Sequence, residues 1–151
     1  MMIFEFKKIR NSAIPIILIF FNLVGTLLGT MMFALNRNYL VDGTEASILW
    51  GQTVFYASQI FTPILIGTIC SISCQFEENN KNWQRLLTIP IKPNRIILTK
   101  IASLSVVMAI SQLLLLFFYV LSAVLLKVSF VGFLPDFLLW SITGWLATIT
   151  I

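Results

Sequence analysis

The chain has 151 residues, of which 58% are hydrophobic and only 11% are charged, and its mean hydropathy is +0.94. A soluble domain of this size needs roughly a quarter of its residues charged to cover its surface. The composition therefore excludes a soluble globular domain and predicts a protein surrounded by lipid. The net charge of +4 does not predict nucleic-acid binding, because the basic residues flank apolar stretches and form no stripe on a polar domain.

Long apolar stretches divide the chain. Three of them carry no charged residue, namely Asn11 to Asn36, Ala46 to Phe76 and Ile101 to Leu126, and a fourth follows Asp136. An α-helix needs roughly 20 residues to cross the hydrocarbon core, and backbone polar groups in lipid require helices or closed barrels. The stretches lack the two-residue alternation of barrel strands. They predict an all-α membrane protein, a polytopic transmembrane helix bundle with three full spans and a partial fourth.

The spans are expected in a single transmembrane domain, at residues 12–35, 51–74, 101–126 and 137–151. The fourth covers only about 22 Å at 1.5 Å per residue, less than the hydrocarbon thickness. We therefore expect the sequence to stop inside a helix.

The charged residues outside the spans predict the orientation. Eight basic residues lie before the first span or between the second and third, and two lie in the other connections. The excess of Lys and Arg places the N-terminus and the second connection in the cytoplasm. Tyr39 and Trp50 would then lie at the outer boundary, where amphipathic rings prefer to be.

The connection between the second and third spans, residues 75–100, is the only sizeable polar stretch. Within it, Trp83, Leu86 and Leu87 recur at i, i+3 and i+4, which predicts a short amphipathic helix that ends at Pro90. Such a helix fits a groove on a partner protein. Periodicity alone equally allows a helix that lies on the membrane surface with Trp83 among the headgroups.

Two sequence patterns carry a family resemblance. Residues 4–12 read Phe-Glu-Phe-Lys-Lys-Ile-Arg-Asn-Ser, and residues 77–91 read Glu-Glu-Asn-Asn-Lys-Asn-Trp-Gln-Arg-Leu-Leu-Thr-Ile-Pro-Ile, with Lys100 at the start of the third span. Both resemble ABC-2 type transporter permeases, and most of all the permease subunits of bacteriocin (lantibiotic) self-immunity transporters. Members of that family normally have six spans, so the resemblance implies that this chain lacks the last two and part of the fourth.

The resemblance implies a function and partners. In that family the segment after the second span is a coupling helix that docks on an ATP-binding subunit, and here it would include Glu77, Trp83, Leu86, Leu87 and Pro90. The chain would be the permease of an exporter in the bacterial inner membrane. Its partners would be the ATP-binding subunit, a second permease subunit, identical or different, and the lipid bilayer.

Enzymatic chemistry is not indicated. No Gly-x-x-x-x-Gly-Lys-Ser/Thr sequence is present, so any ATP must be hydrolysed by a partner subunit. The absence of histidine excludes serine–histidine catalysis and histidine metal sites. Cys70 and Cys74 are interpreted as small packing residues rather than a thiol site. Glu77 and Glu78 are interpreted as loop charges, because the histidines of a membrane protease are missing.

Polar and small residues within the spans predict helix packing. Asn22, Gln59 and Gln112 either bond between helices or line a substrate path. Gly25 and Gly29 form a Gly-x-x-x-Gly pair that permits close contact with another helix.

Two functional hypotheses follow. The first is the permease subunit of an ABC-2 type exporter, acting in bacteriocin self-immunity or related peptide efflux. The second is a small stand-alone membrane protein, such as an immunity or scaffold protein that works without an ATPase. An ATP-binding subunit that co-purifies with the chain would distinguish the first from the second.

Overall fold

The computed structural model describes residues 9–41, 43–78 and 93–149. This part of the chain folds into five α-helices, and it contains no β-strand. Their bounds are α1 Ile14–Asn36, α2 Glu45–Tyr56, α3 Thr62–Glu78, α4 Pro93–Leu125 and α5 Leu134–Ile149. A π-helical turn, Ala57–Phe61, joins α2 to α3 without a break. Short 3₁₀ turns, Arg37–Tyr39 and Val131–Phe133, follow α1 and precede α5.

Three helical runs are long and apolar enough to cross a membrane. They comprise Ile14–Tyr39, Glu45–Gln75 and Ile97–Leu125, with 26, 31 and 29 residues. The prediction of an all-α polytopic membrane protein with three full spans is confirmed. The partial fourth span corresponds to α5, whose 16 residues cover about 24 Å.

Two helices begin before the predicted spans. α2 begins at Glu45 and α4 at Pro93, whereas the spans were placed from residues 51 and 101. An acidic residue is favourable in the first turn of a helix, where Glu45 lies. Proline is tolerated in the first turn because its missing N–H has no partner there in any case. The hydropathy pattern predicts only the part of a helix that lies inside the hydrocarbon. The helix itself begins earlier, so its first residue differs from the start of the predicted span.

The helices alternate in direction, as two clusters of buried residues demonstrate. We call the end of the bundle where α1 begins the Arg10 end, and the end where α1 terminates the Arg37 end. The cluster at the Arg37 end joins α1, α2, α4 and α5 through Phe33, Ala46, Leu49, Trp50, Tyr119, Ala123, Val128 and Phe137. The cluster at the Arg10 end joins α1, α3 and α4 through Ile14, Leu18, Leu65, Ile69, Val107 and Met108.

A close helix contact lies between these clusters, where α1 crosses α2 and the π turn. A Cβ atom on Gly29 would come within 2.5 Å of the Thr53 Cα, and one on Gly25 within 3.2 Å of the Ala57 Cα. Thr53 is fully buried at this crossing. The Gly-x-x-x-Gly prediction is therefore confirmed, and the helix that it contacts belongs to the same chain.

Trp50 lies inside the bundle, and its prediction as an aromatic residue facing the membrane boundary is wrong. Its ring stacks on Phe137 at 5.0 Å and meets Tyr119 edge-on at 4.9 Å, and only 4% of the residue is exposed. The reason is that α2 begins at Glu45, so Trp50 lies more than one turn inside the helix and points towards α4 and α5. Tyr39, by contrast, is 87% exposed.

Arg37 connects three helix ends at its end of the bundle. Its Nη1 donates a hydrogen bond to the Leu126 carbonyl at 3.1 Å, and its Nη2 lies 3.6 Å from a carboxylate oxygen of Glu45. A cation beside the carbonyls that end a helix is favourable. Lys127 follows with a φ of 56°, and the Val128 N–H returns to the Ala123 carbonyl at 2.9 Å. This left-handed residue terminates α4.

Replacement of Gly29 by alanine tests the helix crossing. We expect it to lower the free energy of unfolding by about 1–3 kcal/mol, the usual cost of overpacking, because the new methyl group would overlap the backbone of Thr53. Gly51→Ala on α2 is the matched control, since a Cβ there meets nothing within 4 Å. Denaturant unfolding of the detergent-solubilised protein, followed by tryptophan fluorescence, measures both. Equal stability of the two variants would contradict the crossing.

Candidate functional site

The predicted coupling site falls mostly outside the described residues. Glu77 lies in the last turn of α3, which ends at Glu78. Trp83, Leu86, Leu87 and Pro90 lie between residues 78 and 93, where the structure is not described. What the structure does define is the position of the two helices that carry this segment.

Both of these helices are fixed by packing at the Arg10 end. Leu65 and Ile69 of α3 and Val107 and Met108 of α4 belong to one buried cluster with the start of α1. Trp145 of α5 packs on the same cluster, and its Nε1 donates a hydrogen bond to the Ser105 carbonyl of α4 at 2.9 Å. The two helices on either side of residues 79–92 therefore pack against the rest of the bundle, α3 with α1 and α4, and α4 also with α5.

Asn22 links α1 to α4 in the apolar interior. Its Nδ2 donates to the Leu18 carbonyl at 2.8 Å and to the Ser111 Oγ at 2.9 Å, and 6% of the residue is exposed. An amide in hydrocarbon needs such partners because water cannot supply them. The prediction that Asn22 bonds between helices is confirmed.

Gln59 and Gln112 have different surroundings. Gln59 lies in the π turn on the exposed surface of the bundle. Gln112 lies near the middle of α4 and lines a cavity of about 200 Å³ between the α2–α3 helix, α4 and α5. Of these two described glutamines, only Gln112 therefore lines this cavity.

The cavity combines apolar walls with several uncharged polar groups. Its polar and indole-bearing lining residues are Trp50, Ser58, Thr62, Gln112, Trp140, Ser141 and Thr148. Among the described residues, Ser141 Oγ and Gln52 Oε1 are the buried side-chain atoms without a hydrogen-bond partner, and Ser141 is one of the lining residues.

The π turn borders this cavity and is caused by the sequence around Pro63. Proline has no N–H and its ring clashes with the carbonyl four residues earlier, so a regular α-helical ladder cannot pass through it. The Thr62 N–H instead donates five residues back to the Ala57 carbonyl, and the Thr62 Oγ1 donates to the same oxygen at 2.9 Å. The effect of Pro63 on the α2–α3 helix is therefore a local π turn.

A second, apolar recess of about 260 Å³ separates α1 from α4 towards the Arg37 end. It is lined by Leu23, Thr26, Leu27, Thr30, Phe118, Leu121, Ser122, Leu125 and Leu126. Thr26 and Thr30 donate their hydroxyls to carbonyls of their own helix, Asn22 and Thr26 respectively, each at 2.8 Å. The recess therefore presents mainly hydrocarbon and matches the chemistry of lipid tails.

The cysteines show no arrangement for metal binding. Cys70 and Cys74 are both free and exposed on α3. Within the described ranges, no three residues of the His, Cys, Asp or Glu types come together in a way that could hold a metal ion.

Several residues that shape the interior were not singled out from the sequence. They are Ser105, Ser111, Ser141 and Trp145, each of which bonds across helices or lines the cavity. The one available signal was the adjacent pair Ser111–Gln112 in an otherwise apolar run. An isolated serine in a span gives no such signal, since its hydroxyl can also bond to a carbonyl of its own helix.

Comparison with known proteins identifies the family. No curated protein and no solved structure matches the chain. The family model described as ABC-2 family transporter protein matches residues 1–151. Since that match covers the entire sequence and the described fold is a bundle of membrane-spanning helices, the chain belongs to the ABC-2 transporter family of membrane proteins.

Proposed function

We propose that this chain is the membrane-spanning permease subunit of an ABC exporter. The observation that carries the proposal is the family match over residues 1–151. The bundle agrees with it, because two spanning helices, α3 and α4, carry the polar segment 79–92 between them. Residues 1–151 contain no phosphate-binding loop, and in this proposal an ATP-binding subunit supplies the energy of ATP hydrolysis.

The coupling segment would pass force between that subunit and the spans. Trp83, Leu86 and Leu87 would fill an apolar groove on the ATP-binding subunit, with Glu77 and Pro90 at the two ends of the contact. Movement of the ATP-binding subunits would then displace α3 and α4, which pack with α1 at the Arg10 end. Rigid-body shifts of packed helices are a common way for such movements to spread.

The exported molecule would be a bacteriocin or a related amphipathic peptide. Support for this cargo is the resemblance of residues 77–91 to bacteriocin self-immunity permeases. A second permease subunit, identical or different, would complete the transporter. The location would be the bacterial inner membrane.

Co-purification tests the permease assignment. The chain is expressed together with the ATPase encoded by a neighbouring reading frame, and the complex is isolated in detergent through a tag on the chain. Stoichiometric retention of the ATPase supports an exporter subunit. Isolation of the chain without the ATPase would instead favour the stand-alone immunity or scaffold protein.

Charged substitutions test the coupling segment. We expect Trp83→Glu and Leu87→Glu each to reduce retention of the ATP-binding subunit about tenfold or more, because a carboxylate in the centre of an apolar contact removes a dominant anchor. Membrane insertion should stay normal, since both residues lie outside the spans.

Thr88→Glu is the matched control for these variants. It introduces the same charge one residue from Leu87, on the side of the predicted helix away from the apolar face. Normal retention and normal export by both Trp83→Glu and Leu87→Glu would show that the segment is not the coupling element.

Thiol labelling tests the orientation. In a background with Cys70→Ser and Cys74→Ser, single cysteines replace Asn11 and Asn38, which are both exposed and lie at opposite ends of α1. Given the distribution of basic residues, we expect a membrane-impermeant maleimide added to intact cells to label Asn38→Cys, and Asn11→Cys only after lysis. The opposite pattern would invert the topology.

A further inference from the structure

The cavity beside the π turn is lined by residues of the α2–α3 helix, α4 and α5. Gln112, in its wall, is 19 residues from the start of α4 and 13 from its end, which places it near the middle of the bilayer. Ser58 and Thr62 line it from the α2–α3 helix, and Ser141 and Thr148 from α5. Hydrogen-bonding groups of the α2–α3 helix, α4 and α5 therefore surround one cavity of about 200 Å³.

Ser141 indicates that this space is more than a packing defect. Its Oγ is buried and has no hydrogen-bond partner among the described residues, and an unsatisfied buried hydroxyl is destabilising. Asn22, in comparably apolar surroundings, has two partners within 2.9 Å. The Ser141 hydroxyl is thus available to a molecule that enters the cavity, whereas the Thr62 and Thr148 hydroxyls already donate to backbone carbonyls. π-helical turns, such as the one that borders it, are frequent at functional sites.

The lining selects a class of ligand. No Asp, Glu, Lys or Arg is among the lining residues, so an ionised group would lose its hydration without gaining a counter-charge. Most of the wall is apolar and includes the indoles of Trp50 and Trp140. A cavity of roughly 150 Å³ is enough to bind benzene in an apolar protein interior, so 200 Å³ admits one ring with a small polar substituent.

We propose that this cavity is a binding site for an uncharged, ring-sized group that carries a hydrogen-bonding substituent, held by Gln112 and Ser141. Trp140 is 49% exposed and Pro63 is also exposed, and both line the cavity. The cavity therefore reaches the surface of the described bundle, where an amphipathic molecule can enter from the bilayer. That the bound group is part of the transported molecule rests on the proposed function. That the cavity binds such a group does not.

Fluorine NMR of two small probes tests the site. The 151-residue chain is reconstituted in lipid nanodiscs and titrated with 4-fluorophenol or with fluorobenzene, and empty nanodiscs give the contribution of lipid partitioning. We expect a saturable component for 4-fluorophenol, because its hydroxyl can bond to the Gln112 amide.

Gln112→Leu should lower the affinity for 4-fluorophenol about tenfold and change the affinity for fluorobenzene less than twofold. Comparison of two probes on one variant separates loss of the hydrogen bond from loss of the fold.

Gly144→Leu fills the cavity and is the second variant. A Cβ on Gly144 would point at Gln112, with its nearest atom at 3.7 Å, so the larger side chain should abolish the saturable component. Gly67→Leu is the matched control, since a Cβ there meets nothing within 4 Å, and it should bind normally. Partitioning without saturation, or equal effects of Gln112→Leu on both probes, would overturn the site. Neither result would affect the permease assignment, which co-purification of the ATP-binding subunit tests separately.

Discussion

The backbone contact between α1 and the α2–α3 helix is the constraint on which the rest of the bundle depends. In lipid there is no hydrophobic force that brings helices together, so close packing and hydrogen bonds must do so. Gly25 and Gly29 remove the side chains that would separate the backbones, and Thr53 and Ala57 fill the opposite side. The two buried clusters form on either side of this crossing. The crossing thus fixes which residues of α4 and α5 can complete each cluster.

Hydrogen bonds between helices add direction to this packing. Asn22 bonds to Ser111, the Tyr119 hydroxyl donates to the Ala46 carbonyl at 3.1 Å, and Trp145 bonds to the Ser105 carbonyl. Each bond joins α4 to a different helix, so α4 is the common partner of the bundle. α4 is also one of the two helices that carry the segment 79–92. Hydrogen bonds to α1, α2 and α5 therefore hold α4 in the bundle, and its buried residues Val107 and Met108 pack with those of α3.

The polar cavity contains one of the two buried side-chain atoms that have no hydrogen-bond partner in the described part of the chain, Ser141 Oγ. The π turn that borders the cavity follows from Pro63, which prevents a regular α-helix. Thr62 and Pro63, which follow this turn, line the cavity together with Gln112 of α4 and Ser141 of α5. One proline in the sequence therefore contributes both to a local π turn and to the wall of a cavity that only the tertiary structure forms.

The sequence by itself determined the membrane class, the three full spans and the polar segment between the second and third, because length, hydropathy and charge are local properties of a chain in lipid. It also indicated the tight contact at Gly25 and Gly29, since only small residues permit it. Only the tertiary structure decided that Thr53 is the partner of Gly29, that Trp50 packs against Phe137 and Tyr119, and that Ser141 shares a cavity with Gln112. These contacts depend on the rotation of each helix about its axis and on where the helices cross. A span that is apolar on all sides is compatible with lipid on every face, so its sequence carries little information about which face meets another helix.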